Sequence, residues 1–290
     1  MKRHILTAVL LGMLCLPVKP QSLSIYTIMH TIETNAVSRL AGHEEWGVES
    51  VRQRVWRDMP SNIDLQLVQP SQEVLTANQL YERRSNSALI FGKTYVCDKC
   101  PELHVSLIAT ATPVTIDGIC LVNFHMIKPI VQRDAFVPGD SVYFMADRAG
   151  QVFPITDILA VSPEEDAAVV KVDTQGEKLD AIPLGEPALV GQHINLISHP
   201  KQMVYTYTQG YVTRNSTYDY PGYPTLDHME ISADFAEGSS GGPVMDDRGN
   251  LVAMVKGTTS IFYDKERRNP QMVLRVTIPI TTLRRLIGLK

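Results

Sequence analysis

The chain has 290 residues, of which 44% are hydrophobic and 20% are charged, and its formal net charge is −4 at neutral pH. This composition is typical of a soluble globular protein, and the length suits one large domain or two small ones. The small negative charge argues against a nucleic-acid partner and against a protein held on an anionic membrane surface.

The first residues have the pattern of an export signal. A positively charged start, Met1–Arg3, precedes a short apolar run, Ile5–Leu16, that is too short to span a bilayer as a helix. We predict a signal peptide over residues 1–21, no integral membrane span, and a periplasmic or secreted protein. The cleavage position stays open because no small-x-small pattern is evident near residue 20. A buried N-terminal helix and lipid attachment at Cys15 are the alternatives.

Residues 22–86 carry scattered apolar side chains at near-helical spacing, interrupted by glycine and proline. Helices are predicted over Ser24–Leu40, Glu44–Trp56 and Val74–Arg84. We therefore expect a helical N-terminal extension. Its role stays open between simple packing, docking of a partner and an inhibitory pro-segment.

From residue 87 onward the pattern changes to short runs rich in Val, Ile, Thr and Tyr, separated by Gly, Pro, Asp and Asn. Many short strands with turn signals between them predict an all-β sandwich or barrel. A C-terminal helix is predicted over Thr281–Leu289. The predicted strands are Ala88–Val96, His104–Ala111, Ile119–Phe124, Ser141–Ala146, Ala167–Val172, His193–Ser198, Val204–Thr213, Leu251–Val255 and Val273–Ile278.

The segment Gly238–Pro243, which reads Gly-Ser-Ser-Gly-Gly-Pro, is the strongest chemical signal. A nucleophilic serine needs an exposed hydroxyl on a tight turn, with backbone N–H groups free to face a substrate oxyanion. Glycines on both sides permit unusual backbone angles and a close approach of the substrate. Taken alone, the segment could also be a plain Gly/Ser surface loop.

With two upstream segments, this one resembles the active-site motifs of trypsin-like serine proteases, and most closely those of the Deg-type (high-temperature-requirement) catalytic domain. Asp117–Ile127 resembles the histidine segment of that branch and places His125 at the histidine position. Glu165–Val172 resembles the aspartate segment and places Asp166 at the aspartate position. The order His, Asp, Ser is that of the family. Three further stretches match in the same order: Leu184–Pro200, Gly210–Val212 and Val276–Ile280.

The resemblance implies a chymotrypsin-like fold over residues 87–290, with two six-stranded antiparallel Greek-key barrels. It also implies a serine endopeptidase that works through an acyl-enzyme, needs no cofactor or metal, and acts on protein or peptide substrates. Ser240 is then the nucleophile, His125 the general base and Asp166 its orienting partner. The backbone N–H groups of Gly238 and Ser240 form the oxyanion hole. The oligomeric state stays open.

The sequence departs from the family at three places. Val122 stands where Thr is common, Thr110-Ala111-Thr112 replaces the usual Gly-Ser-Gly, and Ser239 replaces the Asp or Asn before the nucleophile. Ser239 cannot form an ion pair with a new N-terminus, so activation of the trypsin kind is not expected. The departures keep a second hypothesis open, a catalytically impaired protein that uses the fold as a binding module. Because the chain ends at Lys290, no PDZ module is expected after the catalytic domain.

Asp234 is a candidate for the specificity pocket, because it lies six residues before Ser240. In trypsin the residue at that offset binds Lys or Arg side chains of the substrate. Deg-type enzymes have a different loop and prefer small aliphatic residues. We therefore favour a loop-stabilising role for the Asp234 carboxylate and keep the basic pocket as the alternative.

Removal of a signal peptide leaves three cysteines, Cys97, Cys100 and Cys120, with His104 close to the first two. In an exported protein we favour a disulfide over a metal site, because zinc usually takes four ligands and the chain has no second Cys pair. The pairing stays open. Cys97 can bridge to Cys100 in a short loop, or either can bridge to Cys120 and pin the first hairpin beside His125.

Overall fold

The computed structural model describes residues 22–58, 63, 65–219, 221–222 and 225–289. The predicted signal peptide over residues 1–21 lies outside this part of the chain. None of the helices in the described ranges is long and apolar enough to cross a membrane.

The first six strands close into an antiparallel barrel with the spatial order β1-β2-β3-β6-β5-β4. Around the closed ring β4, β1, β2 and β3 are neighbours in the order 4-1-2-3, which is a Greek key. Successive residues of β1 face opposite sides, since Leu89 and Phe91 pack in one buried cluster and Ile90 in another. The strands are β1 (Leu89–Val96), β2 (Leu103–Pro113), β3 (Ile119–Val122), β4 (Asp140–Ala146), β5 (Val152–Ser162) and β6 (Ala167–Val172).

The last six strands close into a second antiparallel barrel with the order β10-β11-β12-β9-β8-β7. Here β10, β7, β8 and β9 form the same 4-1-2-3 arrangement. Leu196, Val212 and Val244 are buried together in its apolar cluster. The strands are β7 (His193–Ser198), β8 (Thr206–Tyr218), β9 (Leu226–Ile231), β10 (Pro243–Met245), β11 (Leu251–Phe262) and β12 (Pro270–Pro279).

The helices lie outside the two barrels. In α1 the Ser24 hydroxyl caps the N-terminus, and α3 begins with a reciprocal capping box between Thr76 and Gln79. Ile32, Ala36 and Leu40 repeat at a spacing of four residues, so that one stripe of α1 packs into the same cluster as the barrel strands. The α-helices are α1 (Ile25–Leu40), α2 (Val48–Asp58), α3 (Ala77–Arg84), α4 (Phe124–Val131) and α5 (Ile280–Leu286).

The predicted fold is confirmed: two six-stranded antiparallel barrels, N-terminal helices and a C-terminal helix. Three of the strands, β5, β9 and β10, were not predicted from the sequence. β5 contains Pro154, which is unusual inside a strand, β9 is rich in charged residues, and β10 is only three residues long. The strand predicted over Ile119–Phe124 is too long, because β3 ends at Val122 and α4 begins at Phe124.

Candidate active site

His125 lies in the first turn of α4, two residues after Asn123, which has extended backbone angles at the N-cap. Its side chain is 51% exposed, whereas that of Asp166 is 19% exposed. The imidazole Nδ1 lies 2.8 Å from Asp166 Oδ2. Because Nδ1–H donates to the carboxylate, the Nε2 lone pair is left free to accept a proton.

Asp166 is held by its backbone as well as its side chain. Its φ is +58°, in the left-handed region that few non-glycine residues adopt. Its carboxylate accepts the backbone N–H of His125 at 2.9 Å, and its carbonyl accepts the side-chain amide of Asn123 at 3.0 Å. The carbonyl also accepts the backbone N–H of Phe124 at 3.2 Å. These contacts fix the carboxylate against the start of α4 and therefore orient the imidazole.

The loop that carries Ser240 depends on its glycines. Gly238 and Gly241 have φ values of +94° and +81°. A Cβ at Gly241 would lie 2.1 Å from the carbonyl oxygen of Thr110, and one at Gly238 would lie 2.5 Å from that of His199. Neither position can carry a side chain without displacing neighbouring backbone.

The same loop is bound to β2 of the first barrel by two threonines. The backbone N–H of Thr110 donates to the Ser240 carbonyl at 2.9 Å, and its hydroxyl donates to the Gly238 carbonyl at 2.9 Å. The Thr112 hydroxyl donates to the Gly241 carbonyl at 2.7 Å. Thr112 also pairs with Leu121 of β3, the strand that leads to the His125 helix. Thr110 and Thr112, which belong to the segment that departs from the family pattern, thus join the two barrels at the Ser240 loop. Sequence reasoning missed this role.

Ser239 is fully buried beneath the loop. Its hydroxyl accepts from Ser198 Oγ at 3.0 Å and from the backbone N–H of Ala236 at 3.4 Å. Ser239 stands where the family usually has an Asp or Asn, and both of its hydrogen bonds are to neutral groups. They stabilise the turn without an ion pair.

The backbone N–H groups of Gly238 and Ser240 donate to no acceptor within the described residues. They are therefore free to donate hydrogen bonds to an acceptor from outside the protein. Over the same residues, no hydrogen bond joins the Ser240 hydroxyl to His125. The structure pairs His125 with Asp166 and leaves the serine hydroxyl separate from that pair.

A cleft of about 420 Å³ adjoins Gly238. Its apolar wall is formed by Ile90, Val204 and the β2 segment 107–109. Lys201 and Glu237, which form an exposed ion pair, lie at the polar side.

Lys256 is a half-buried charge near Asp166 that sequence reasoning also missed. Burial lowers the pKa of its ammonium group, whereas the nearby Asp166 and Glu165 carboxylates raise it. Its Nζ lies 3.1 Å from His228 Nε2. The pKa of His228 is lowered by burial first and by Lys256 second. The available signal was a lysine directly after the apolar run Leu251–Val255 of β11.

Asp234 does not lie at the base of a closed pocket. Its side chain is 77% exposed and forms an ion pair with Arg275 of β12. The Thr208 hydroxyl donates to its carbonyl at 2.9 Å. Arg275 therefore already supplies the positive partner that a basic substrate side chain would offer.

Cys97, Cys100 and Cys120 are free thiols in the structure. Cys120 is fully buried in β3, opposite Pro113 at the far end of β2. Strand β2 runs from Leu103, next to the first two cysteines, to Pro113, ten residues later. An extended strand of that length spans roughly 33 Å. The bridge to Cys120 considered from the sequence is therefore absent, because the partners lie at opposite ends of β2. Burial raises the pKa of the Cys120 thiol.

Cys97 and Cys100 lie instead at the turn between β1 and β2, with their Sγ atoms 3.4 Å apart. Cys100 Sγ lies 2.9 Å from His104 Nε2. Hydrogen bonding from the Lys99 backbone, and then from Cys100, lowers the pKa of the Cys97 thiol to about 7. A disulfide between these two residues, one of the pairings that the sequence left open, is not formed in the structure.

Comparison with known proteins identifies the family. The profile of the trypsin-like peptidase domain matches residues 109–254, half of the chain, and includes His125, Asp166 and Ser240. The chain belongs to the family of trypsin-like peptidase domains. The matched range runs from β2 of the first barrel to β11 of the second.

Sequence relatives of this peptidase domain are plant proteases. It is 26% identical over 176 residues to Protease Do-like 5, chloroplastic, of Arabidopsis thaliana, which covers 59% of this chain and 53% of that protein. It is 31% identical over 102 residues to Protease Do-like 1, chloroplastic, of the same plant, which covers 33% of this chain and 23% of that protein. The chain thus matches about half or less of the length of these relatives.

Solved structures show the same fold. The crystal structure of Deg5 aligns with a TM-score of 0.54 and 22% identity, and the alignment covers 74% of this chain and 98% of that one. The HtrA-type protease AlgW with decapeptide aligns with a TM-score of 0.56 and 19% identity over 73% of this chain and 66% of that one. At these identities the likeness supports the chymotrypsin-like architecture alone.

Proposed function

We propose that this chain is a serine endopeptidase that hydrolyses peptide bonds of protein or peptide substrates. Ser240 is its nucleophile, His125 its general base and Asp166 the residue that orients the histidine. Membership in the family of trypsin-like peptidase domains supports the class of reaction. The hydrogen bond of 2.8 Å between His125 Nδ1 and Asp166 is the observation that carries the assignment of residues.

In the proposed mechanism the Ser240 hydroxyl attacks the carbonyl carbon of the scissile peptide bond. His125 Nε2 accepts the hydroxyl proton and then donates it to the leaving amine, which gives an acyl-enzyme. Water attacks the acyl group with His125 again as base, and Ser240 regains its proton. Asp166 keeps the proton on Nδ1 in the free enzyme and stabilises the imidazolium that forms in each step.

The oxyanion of each tetrahedral intermediate needs hydrogen-bond donors that are not already engaged. The unengaged N–H groups of Gly238 and Ser240 fit this requirement. Losing one donor of this kind typically lowers turnover by about 100- to 1,000-fold. Thr110 and Thr112 support the arrangement, because their bonds to the loop carbonyls keep these amides in place.

The proposal is tested by measuring cleavage of an unfolded protein, such as reduced casein, by the purified chain. Ser240→Ala should lower turnover by about 10⁶-fold, and Asp166→Asn should lower it by about 10⁴-fold. Ser260→Ala, at an exposed serine in β11, is the matched control and should keep full activity. A Ser240→Ala variant that cleaves at the wild-type rate, or a folded wild type that cleaves nothing, would contradict the proposal.

We also propose that the protein is exported, because the positive start and the apolar run Ile5–Leu16 have the form of a signal peptide. Expression of the full chain should give a mature protein that begins near residue 22. N-terminal sequencing of the exported protein tests this directly. Recovery of the intact N-terminus in the cytosol would contradict it.

A further inference from the structure

The turn between β1 and β2 brings together three side chains that favour soft metal ions. Cys97 directly follows β1, Cys100 lies three residues later, and His104 is the second residue of β2. One ligand atom from each residue lies within 4.8 Å of the others. Thiolate and imidazole donors together favour ions such as Zn²⁺ over Mg²⁺ or Ca²⁺.

The separations between these atoms suit one shared ion. In a tetrahedral zinc site the Zn–S bond is about 2.3 Å and the Zn–N bond about 2.0–2.1 Å. Two sulfurs bound to one ion then lie about 3.8 Å apart, and a sulfur and a nitrogen about 3.6 Å apart. The observed separations are 3.4 Å between the Cys97 and Cys100 sulfurs and 2.9 Å between Cys100 Sγ and His104 Nε2. Small side-chain rotations would open them to the required values.

The backbone holds the three side chains in this arrangement without a metal. Tyr95 pairs with His104, and Val96 pairs with Leu103, so the two strands are in register up to the turn. The His104 ring packs against the Tyr95 ring with centroids 5.3 Å apart. Binding would therefore require little rearrangement of the hairpin, which favours affinity.

We propose that Cys97, Cys100 and His104 bind one Zn²⁺ ion, with water at the fourth coordination position. Each thiol releases its proton to solvent as its sulfur binds the metal, and His104 binds through neutral Nε2. Two thiolates balance the charge of the ion, so the site needs no further carboxylate. The ion takes one ligand atom from each of the three side chains.

The site is tested on the full chain, purified with a reductant and stripped of metal with a chelator. Co²⁺ serves as the spectroscopic probe, and Zn²⁺ is titrated in competition with a chromophoric chelator. We expect one ion per chain, a thiolate-to-cobalt charge-transfer band, and its disappearance when Zn²⁺ displaces Co²⁺. Cys97→Ser and Cys100→Ser should each lose that binding, and His104→Asn should weaken it. His30→Asn, at an exposed histidine of α1, is the matched control and should bind as wild type does.

Three results would overturn the proposal: no stoichiometric binding by the wild type, unchanged binding by His104→Asn, or a Cys97–Cys100 disulfide in protein isolated without reductant. The last is read by alkylation of free thiols under denaturing conditions, followed by mass spectrometry. Because the readout is metal binding, these results do not depend on whether the chain cleaves peptides. The same titration of Ser240→Ala should match that of the wild type.

Discussion

At the scale of single residues, the proposed site combines groups that local sequence specifies with groups that it does not. His125, Asp166 and Ser240 stand within recognisable strings, because each needs particular neighbours: a helix start, a left-handed turn and a glycine-rich loop. Thr110 could not be recognised in this way. Its partner Gly238 lies 128 residues further along the chain, and only the folded structure brings the two together.

Asp234 yields a prediction about specificity. Specificity is expressed as kcat/KM for a substrate with Lys or Arg before the scissile bond, divided by kcat/KM for the same substrate with Ala there. Because Arg275 pairs with the Asp234 carboxylate, Asp234→Asn should change this ratio by less than about twofold. Because the carboxylate lies outside a closed pocket, Arg275→Gln should also leave this ratio within about twofold of wild type. Both ratios are measured with a matched peptide set. A selective loss of about tenfold for basic substrates in Asp234→Asn would assign the residue to a basic pocket after all.

At the scale of elements, the junction between the barrels is a set of polar contacts among neighbouring segments. His199, just after β7, accepts the backbone N–H of Tyr205 through Nδ1 at 3.0 Å and donates through Nε2 to the Ala88 carbonyl at 3.1 Å. Both nitrogens are therefore used by the neutral ring. The sequence predicts β7 and β8 because their residues are apolar or β-branched. It does not show that His199, which follows β7, is buried and bonded to the residue before β1.

This burial lowers the pKa of His199 from 6.5 to about 4. The unfolded chain therefore binds more protons than the folded one between those values, and stability falls as the pH falls through that window. The contribution lost between pH 7 and pH 4.5 is about 2–3 kcal/mol. His199→Gln should have a lower free energy of unfolding than wild type at pH 7. It should also lose less of that free energy between pH 7 and pH 4.5, as measured by urea denaturation at both pH values.

The exposed His30 again offers a control, because His30→Gln should keep the wild-type dependence on pH. Equal losses on acidification in wild type and His199→Gln would contradict the assignment of a neutral buried ring.

At the scale of the whole molecule, the N-terminal helices are part of the packed structure of the first barrel. Besides the buried stripe of α1, Arg52 of α2 donates to the carbonyls of Ile130 and Pro129 at 2.9 and 2.8 Å, at the end of the helix that carries His125. The sequence predicts these helices from their spacing. It could not predict what they pack against, because the partner strands are formed by residues much further along the chain.

Ile32 tests whether the extension and the barrels unfold together. The side chain is fully buried, so Ile32→Ala should lower the free energy of unfolding by about 2–5 kcal/mol. Val37→Ala, on the exposed side of the same helix, should change it by less than about 0.5 kcal/mol. Both tryptophans, Trp46 and Trp56, lie in the extension, whereas amide hydrogen exchange in peptides from the strands, measured at each urea concentration, reports on the barrels. The two signals should shift to lower urea together in Ile32→Ala. A shift confined to the tryptophan signal would show that the extension unfolds separately.

The central claim is that Ser240 is a nucleophile activated by His125. A fluorophosphonate probe reacts with activated serines, and mass spectrometry locates the modified residue. We predict labelling of one serine per chain, at Ser240, with the label absent from Ser240→Ala and strongly reduced in His125→Ala. A folded wild-type chain that takes up no probe, or takes it up equally in His125→Ala, would contradict the account.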